Sequence, residues 1–343
     1  MTKATAPGEA AQSDEMPLVA RVYSQLADDE FHSGEELAQT LGVSRGAVWK
    51  AVESLRDLGA TLHAVRNRGY RLKSGSDAFD AKQITNLLFP PTRISVRSVD
   101  VAWTVDSTNS VLLARPNPPF GECEVMLAEY QTAGRGRRGR TWLAPPGGSI
   151  CLSLSWTFRE VPKDLGALGL VIGVCALRAL REPGLATVQI KWPNDLVIEG
   201  RKLGGILIEL RAESDGPACV VIGIGLNVAL GAKALEAIAE TGASPIDLAT
   251  AGMRDISRNA IAAALITKIS QALPVFEQEG LKPFADEWRD ADALRGRQID
   301  VHTQGGVEHG LARGIDLHGA LVVETPKGVR RFISGDVTVR AVD

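Results

Sequence analysis

Residues 134–148 read GRGRRGRTWLAPPGG, and this stretch decides which kind of α/β fold the chain can form. Its first six residues match GxGxxG, the phosphate-binding fingerprint of dinucleotide-binding folds, in which the glycines open a helix. Here the chain runs on into Pro145 and Pro146, and two adjacent prolines cannot lie inside a helix. The sequence therefore excludes a dinucleotide-binding fold, and the absence of GxxxxGKS or GxxxxGKT excludes a P-loop.

The same stretch is a strongly cationic loop. Four arginines and three glycines occupy positions 134–140, with no apolar residue before Trp142. The arginines repel one another, and the glycines have no side chains that could stabilise an ordered loop. We therefore expect the loop to be mobile until an anion with several oxygens binds. Composition leaves three interpretations open: a lid over a phosphate-bearing ligand, a solvated surface loop and a nucleic-acid contact.

Residues 80–292 are predicted to form one enzyme core, because short apolar strands alternate there with helical patterns, as in α/β and α+β domains. The uncharged run 167–177 is closed by Arg178 and falls short of the ~20 residues that span a bilayer, so it indicates a buried helix. Residues 293–343 alternate between turn glycines and predict a small β-barrel-like domain. Strands are expected at VMLAEYQ (125–131), SICLSLSWTF (149–158), TVQIKWPND (187–195), KLGGILIEL (202–210) and CVVIGIGLNV (219–228).

Residues 18–75 predict a winged helix-turn-helix. HSGEELAQTLG (32–42) has a capping box at Ser33 and Glu36, and Gly42 ends its helix. Ser44 can cap a second helix, and TLHAVRNRGYRLK (61–73), ending at Lys73, alternates on both sides of a turn at 67–69, which indicates a hairpin. Residues 44–73 hold seven Lys or Arg against two acids, so positive charge is concentrated here although the chain carries a net charge of −3.

This charge lies on the second helix and the hairpin, the two parts of such a fold that would touch duplex DNA. A protein-docking module is the alternative. One short helix supplies little specificity, so if this unit binds duplex DNA we expect the spacing of the half-sites to reflect a dimer. The residues predicted to bind DNA are Ser44, Arg45, Trp49, Lys50, Arg66 and Arg68.

Bulk composition predicts a soluble, multidomain, cytoplasmic protein without membrane association. The 343 residues, 45% of them apolar, can bury at least two cores. Residues 1–17 are polar and Ala-rich, which predicts a disordered tail and not an export signal. Four cysteines lie scattered among apolar residues without a CxxC pair and indicate buried thiols of a reducing compartment: Cys123, Cys151, Cys175 and Cys219.

Polar groups follow a predicted strand in VDSTN. Ser107, Thr108 and Asn109 supply two hydroxyls and an amide, which suit a small polar ring or ureido group. In GIGLN, Gly223 and Gly225 would permit close approach within a buried run and deliver Asn227 to the strand end; a plain bulge is the alternative.

KWPNDL is expected to end a strand at Pro193 and to project Asn194 and Asp195 into a turn, from which Lys202 returns on the adjacent strand. A carboxylate, an amide and ammonium groups would then converge at one sheet end, where a metal-bound triphosphate could be held. A simple hairpin with surface charges is the alternative.

In this order, STN, EYQTAGRGRRGRTW, KWPNDL, RKLGGIL and GIGLN resemble the motifs of biotin protein ligases, and the resemblance extends over residues 18–340. The winged helix ahead of them is similar to that of the bifunctional members, which also repress biotin biosynthesis. The resemblance implies an α+β protein with a central mixed α/β ligase domain and a C-terminal SH3-like β-barrel. It also implies that biotin and ATP, with Mg²⁺, form biotinyl-5'-AMP, and that biotin then passes to a lysine of biotin carboxyl carrier protein.

The resemblance assigns roles to individual residues of this chain. Those implied for catalysis are Arg137, Lys202 and Asp195, the last also holding Mg²⁺. Those implied for biotin are Ser107, Thr108, Asn109, Gln131, Arg135, Gly136, Arg137 and Lys202. Those implied for the nucleotide are Arg138, Trp142, Lys191, Asn194 and Asn227.

One residue departs from the family pattern. Leu143 stands where an aromatic residue often follows the motif tryptophan in this family.

Ordering of the arginine loop by adenylate is expected to favour a homodimer and so to couple adenylate occupancy to DNA binding. The alternative functions are a lipoate-type ligase, a metabolite-sensing regulator without catalysis, and a ligase with a vestigial DNA-binding module.

Overall fold

The chain forms an N-terminal helical unit, a central seven-stranded sheet and a C-terminal five-stranded sheet. The computed structural model describes residues 16–72, 77–212, 217–253, 256–303, 305–333 and 338–341. Residues 1–15 of the predicted tail and residues 73–76, which include Lys73, lie outside the described residues. The predicted domain boundaries stay predictions.

Among the described residues the N-terminal unit contains the two helices and the hairpin that the sequence predicts, preceded by a further helix that the sequence analysis did not name. The capping box is formed: the Ser33 hydroxyl accepts from the Glu36 backbone and the Glu36 carboxylate accepts from the Ser33 backbone. Gly42 ends the second helix in the left-handed conformation, with φ of 67°. The turn of the hairpin has Asn67 at φ 65°. The elements are α1 (Leu18–Leu26), α2 (Gly34–Leu41), α3 (Arg45–Asp57), β1 (Leu62–Val65) and β2 (Gly69–Leu72).

The central sheet has the order β3-β4-β5-β9-β8-β7-β6. Only β3 and β4 are parallel and every other neighbouring pair is antiparallel, which confirms an α+β core. The strands are β3 (Val96–Val105), β4 (Cys123–Gln131), β5 (Ser149–Phe158), β6 (Gln189–Lys191), β7 (Asp195–Ile198), β8 (Arg201–Ala212) and β9 (Ala218–Asn227). The helices are α4 (Ala81–Leu87), α5 (Pro90–Ser95), α6 (Thr108–Leu113), α7 (Leu168–Arg181), α8 (Ala232–Glu240), α9 (Arg258–Glu279) and α10 (Ala285–Asp290).

The two faces of this sheet differ. One face carries α7 and α9 over the main apolar core, into which alternate residues of β5 such as Leu152 and Leu154 point. The other face is only partly covered, by α6, whose Leu112 packs with Met126 and Val221. Helix α9 is long and apolar enough to cross a membrane, but 67% of its apolar window is buried in the fold, which identifies it as a core helix.

The KWPND segment differs from the prediction. The strand ends at Lys191 and not at Pro193, because proline cannot donate a ladder hydrogen bond. Asp195 is not in the turn: it begins β7 and pairs with Lys191 across a short hairpin, the element named in the alternative interpretation of this motif. Lys202 nevertheless returns on the adjacent strand, as expected, in register with Val197.

The C-terminal residues form an antiparallel sheet of order β13-β12-β11-β10-β14, confirming a small all-β domain. The edge strands β13 and β14 do not pair with each other among the described residues, so the expected barrel is seen as an open sheet. The strands are β10 (Gln298–Thr303), β11 (Gly306–Ile315), β12 (Leu321–Thr325), β13 (Gly328–Phe332) and β14 (Thr338–Ala341).

A buried ionic cluster joins the N-terminal unit to the central domain. Tyr23 of α1 donates to Glu129 of β4 (3.0 Å) and accepts from Arg258 of α9 (2.9 Å). Arg258 and Glu129 also bond directly at 2.7 Å. Arg258 has no exposed surface, so this cation is matched entirely by protein groups, including the Ser149 carbonyl at 3.0 Å.

Candidate active site

The candidate site lies on the partly covered face of the central sheet. On β5, large apolar residues point toward α7 and α9, whereas residues 149, 151, 153 and 155 are Ser, Cys, Ser and Ser and point the other way. In the cross-strand register Ser153 lies between Met126 and Gly223. This row of small residues opens space above the sheet for side chains from α6 and from the arginine loop.

One end of the site is a buried polar pocket. Thr108 and Asn109 begin α6 directly after β3 and are 4% and 3% exposed. The Thr108 backbone N–H donates to Gln131 Oε1 at 2.8 Å. Ser153 Oγ lies 2.7 Å from Thr108 Oγ1 and 2.5 Å from Asn109 Oδ1. The structure thus brings the predicted STN motif and Gln131 together around Ser153, and Ser107 is buried beside them.

Two glycines of β9 make room for this arrangement. A Cβ on Gly223 would lie 2.3 Å from Asn109 Oδ1, and one on Gly225 would lie 2.3 Å from Trp142 Cε2. Strand β9 stays in register with both neighbours, so the alternative interpretation of a bulge is wrong. The glycines are needed because side chains of the site rest directly on the strand.

The arginine loop is a hydrogen-bonded hairpin across the site. Gly136 N donates to Arg140 O at 2.7 Å, and Trp142 N donates to Gly134 O at 2.8 Å. At its tip Arg138 is exposed and left-handed, with φ of 58°. Whether the loop is mobile without a ligand stays a prediction.

The loop contacts the site at two points. Arg135 pairs with Glu209 of β8 and donates to Ser110 of α6 at 3.2 Å. Arg137 donates to Asn194 Oδ1 at 3.1 Å in the turn before β7. The loop therefore spans from the polar pocket to the KWPND segment.

Cationic groups converge at the KWPND segment. Arg137 reaches Asn194, and the next residue, Asp195, bonds Lys202 Nζ at 2.7 Å. Lys202 Nζ also lies 5.9 Å from the Trp142 ring centroid. Burial lowers the pKa of the Arg137 guanidinium from its ordinary value, a nearby arginine lowers it further, and Asp195 opposes the shift. A protonated arginine in such surroundings would be stabilised by an incoming anion.

The remaining residues predicted for the nucleotide flank this cluster. Lys191 stands opposite Asp195 in the β6–β7 register. Asn227, at the end of β9, donates to Ile246 O at 3.0 Å. Its buried Oδ1 accepts no hydrogen bond from the described part of the chain and is an available acceptor. Next to Trp142, Leu143 is partly exposed.

A second surface lies on the N-terminal unit. Arg45 and Lys50 are exposed on α3, and Trp49 is 54% exposed. Arg66 and Arg68 lie exposed at the turn of the hairpin, with Arg68 4.4 Å from the Phe31 ring. The sixth predicted residue, Ser44, caps α3: its hydroxyl accepts from the backbone N–H of Ala47, three residues further on, at 3.2 Å.

Protein-family models match the N-terminal, central and C-terminal parts of the chain. The Biotin/lipoate A/B protein ligase family model matches residues 102–227, the HTH domain model residues 19–71 and the Biotin protein ligase C terminal domain model residues 295–340. The chain is 38% identical to the Bifunctional ligase/repressor BirA of Escherichia coli, covering 94% of this chain and 97% of that protein. This chain belongs to the biotin protein ligase family.

Two further relatives of the family agree. The Bifunctional ligase/repressor BirA of Bacillus subtilis is 31% identical over 92% of this chain and 96% of its own length. The structure of the biotin protein ligase from Aquifex aeolicus in complex with biotin and ATP superposes with a TM-score of 0.60 at 25% identity. That structure covers 72% of this chain and matches over its entire length.

The family resemblance implies a magnesium ion, and the side chains near Asp195 decide what kind of magnesium site this chain could offer. The described ranges contain no group of three or more His, Cys, Asp or Glu side chains that could hold a metal. Asp195 is a single carboxylate, and one of its oxygens already pairs with Lys202. This donor set fits an ion that arrives bound to a triphosphate and not an ion held by protein alone.

Two residues of the candidate site were missed by the sequence analysis. Ser153 could have been found from the alternation of small and large residues along β5. Glu209, on β8, accepts from Asn109 Nδ2 at 2.8 Å and pairs with Arg135. No local pattern marks Glu209, because its partners lie 100 and 74 residues away.

Proposed function

We propose that the protein is an ATP-dependent biotin protein ligase that also represses transcription as a DNA-binding dimer. One observation supports the ligase proposal most strongly. The arginine loop connects a buried pocket of hydroxyl and amide groups to a cationic cluster around Arg137 and Lys202. An uncharged polar ring fits the first, and a carboxylate beside a triphosphate fits the second.

The first reaction joins two anions. An oxygen of the biotin carboxylate attacks the α-phosphorus of ATP, the bond from that phosphorus to the bridging oxygen breaks, and pyrophosphate leaves. Arg137 and Lys202 would lower the repulsion between the reacting anions, since two fixed cations need no reorganisation as the charge moves. Asp195 holds Lys202 in place at 2.7 Å, and Asn194 holds Arg137 at 3.1 Å.

Magnesium would enter with ATP. The Asp195 carboxylate, next to Lys202, would contact it and so help to hold the triphosphate. When bound, the ion would neutralise phosphate charge.

The second reaction transfers the acyl group. The uncharged amine of a lysine on the carrier protein attacks the biotin carbonyl carbon, the bond from that carbon to the phosphate oxygen breaks, AMP leaves, and the amine loses a proton. The mixed anhydride must be kept from water before this step. The hairpin formed by residues 134–142 is the cover we propose, and the carrier lysine would enter when it opens.

The binding roles that we propose rest on the resemblance to biotin protein ligases. We assign biotin to Ser107, Thr108, Asn109, Gln131, Arg135, Gly136, Arg137 and Lys202, and the nucleotide to Arg138, Trp142, Lys191, Asn194 and Asn227. The stacking surface for adenine would be Trp142, which is held against Gly225.

The DNA-binding proposal rests on the exposed cations of α3 and the hairpin, together with the HTH domain match. We propose operator DNA as the partner and a homodimer, formed when adenylate is bound, as the binding species. A cytoplasmic location stays a prediction.

The ligase proposal is tested with labelled substrates. The protein, incubated with a carrier fragment and ¹⁴C-biotin, should transfer label only with ATP present, and α-labelled ATP should yield labelled biotinyl-AMP when the carrier is left out. Lipoate in place of biotin should give neither product. Label transfer from lipoate and not from biotin would support the lipoate-type alternative, and no adenylate from either would support a sensor without catalysis.

A further inference from the structure

We propose that Glu209 is a positioning residue of the ligase: its carboxylate sets the hydrogen-bond direction of the polar pocket and holds the first arginine of the loop. This inference rests on the proposed function. Glu209 points to the same side of the sheet as Ser153, and its side chain is 20% exposed. Its two oxygens are divided between Asn109 Nδ2, at 2.8 Å, and Arg135.

The carboxylate decides which way the Asn109 amide faces. A carboxylate can only accept hydrogen bonds, so Asn109 must turn its NH₂ group toward Glu209 and its oxygen toward Ser153. Asn109 is 3% exposed and lies against Gly223, so with Glu209 in place water does not compete for this amide. Without the carboxylate, the other acceptor for Asn109 Nδ2 is the Leu207 carbonyl at 3.4 Å, a much weaker bond.

This orientation propagates to Thr108. Ser153 lies within hydrogen-bonding distance of both Asn109 Oδ1 (2.5 Å) and Thr108 Oγ1 (2.7 Å), yet its hydroxyl has one hydrogen. Because an amide oxygen cannot donate, the Ser153 hydrogen goes to Asn109, and the Thr108 hydroxyl then donates to Ser153 Oγ at 2.7 Å in preference to Gln131 Oε1 at 3.2 Å. Thr108 Oγ1 is left to accept a hydrogen bond from a ligand, which suits an N–H group of a ureido ring.

The same carboxylate holds the loop. Arg135 reaches across from the hairpin to Glu209, while Arg137 is held at the far side by Asn194. Loss of the Glu209 charge would leave the pocket end of the hairpin without its ion pair. Because Arg135 is 44% exposed, this pair is partly screened, and we expect a modest and salt-dependent effect on how long the loop stays closed.

Two substitutions separate the two roles. In Glu209→Gln the side-chain oxygen can still accept from Asn109 but cannot pair with the Arg135 cation. In Glu209→Ala both partners are lost. Glu124→Gln is the matched control. Glu124 is also a strand carboxylate, 17% exposed and paired with Arg97 and Arg115, and it lies near the start of β4, away from the site residue Gln131 at the end of that strand.

The readouts are the KM for biotin, kcat, and the rate at which the enzyme releases biotinyl-AMP formed from α-labelled ATP. We expect both Glu209 variants to release adenylate roughly fivefold faster than wild type at low salt, with the difference shrinking at high salt. The KM for biotin should rise about tenfold in Glu209→Ala and less than threefold in Glu209→Gln. Glu124→Gln should match wild type in all three.

The inference is overturned if Glu209→Ala keeps wild-type biotin KM and adenylate release while its melting temperature is unchanged. It is also overturned if Glu209→Gln and Glu209→Ala raise the KM equally, because the amide would then not depend on an acceptor at this position. Failure of the proposed function gives a different result, since the wild-type protein itself would then form no biotinyl-AMP.

Discussion

Replacement of Tyr23 by Phe removes one oxygen from the buried cluster that joins α1 to the central domain. The hydroxyl donates to Glu129 at 3.0 Å and accepts from Arg258 at 2.9 Å, and the ring packs against Trp103 with centroids 5.2 Å apart. Burial is the main cause that raises the pKa of Tyr23 well above its ordinary value, so the hydroxyl is protonated and can donate at neutral pH. Phe keeps the ring and its packing.

The size of the stability loss in Tyr23→Phe depends on the contacts that Glu129 and Arg258 keep. After the substitution Glu129 and Arg258 still bond each other at 2.7 Å, and Glu129 still accepts from the Phe79 backbone at 2.6 Å. No buried charge loses its partner, so we expect the free energy of unfolding to fall by about 2 kcal/mol, within the range for hydrogen bonds to charged groups. Arg258→Leu, which leaves the Glu129 carboxylate buried without its cation, should lose more, about 3–5 kcal/mol.

Hydrogen exchange of the α1 amides measures this loss locally. Unfolding of the N-terminal unit breaks the Tyr23 contacts, so about 2 kcal/mol corresponds to roughly 25-fold faster exchange of α1 amides in Tyr23→Phe. Tyr70→Phe is the control, since Tyr70 lies half-buried in β2 of the same unit without a bonded hydroxyl among the described residues, and it should change exchange less than threefold. Equal exchange in Tyr23→Phe and wild type would refute the idea that this hydroxyl fastens the unit to the central domain.

Three further outcomes are expected. Gly223→Ala should raise the KM for biotin more than tenfold, because its Cβ would lie 2.3 Å from Asn109 Oδ1; an unchanged KM in steady-state assays would contradict the pocket. Burial raises the pKa of Asp292 to about 6, so the folded state binds its proton more tightly than the unfolded state and stability falls as the pH rises from about 4 through 6. Asp292→Asn should remove this fall, worth up to roughly 3 kcal/mol, and denaturation series at pH 4 and pH 7.5 that keep the wild-type difference would count against it. Lys50→Ala and Arg68→Ala should each lower the salt slope of binding to a random-sequence duplex by about one, as measured by anisotropy, with adenylation unchanged; wild-type slopes would show that these cations do not touch phosphate.

Features set by neighbours in the sequence were predictable. The capping box at Ser33 and the turn at Asn67 form as expected, because each needs only local hydrogen bonds or a local backbone preference. The strands of the central domain follow from their apolar runs. The KWPND strand was misjudged because the apolar Trp192 extends the pattern past the point where Pro193 stops the pairing.

Features set by distant neighbours were not predictable. Tyr23 and Arg258 are 235 residues apart, and nothing near either residue indicates the other. Within the candidate site, motifs with several polar residues in a row were found, Ser153 was overlooked in the alternation of small and large residues along β5, and Glu209 was not found. A single polar residue in an apolar strand acquires its role from the side chains that the tertiary fold places opposite it, and sequence periodicity carries no information on those partners.

In the proposed ligase, Arg137 and Lys202 allow biotin and ATP to react by neutralising their charges. The most direct measurement is the single-turnover rate of biotinyl-AMP formation from α-labelled ATP in wild type and in Lys202→Met, with the exposed Lys233→Met of α8 as control. Loss of one fixed cation should slow the reaction about 100-fold or more in Lys202→Met and leave Lys233→Met at the wild-type rate. A Lys202→Met enzyme that forms adenylate within threefold of wild type would contradict the account.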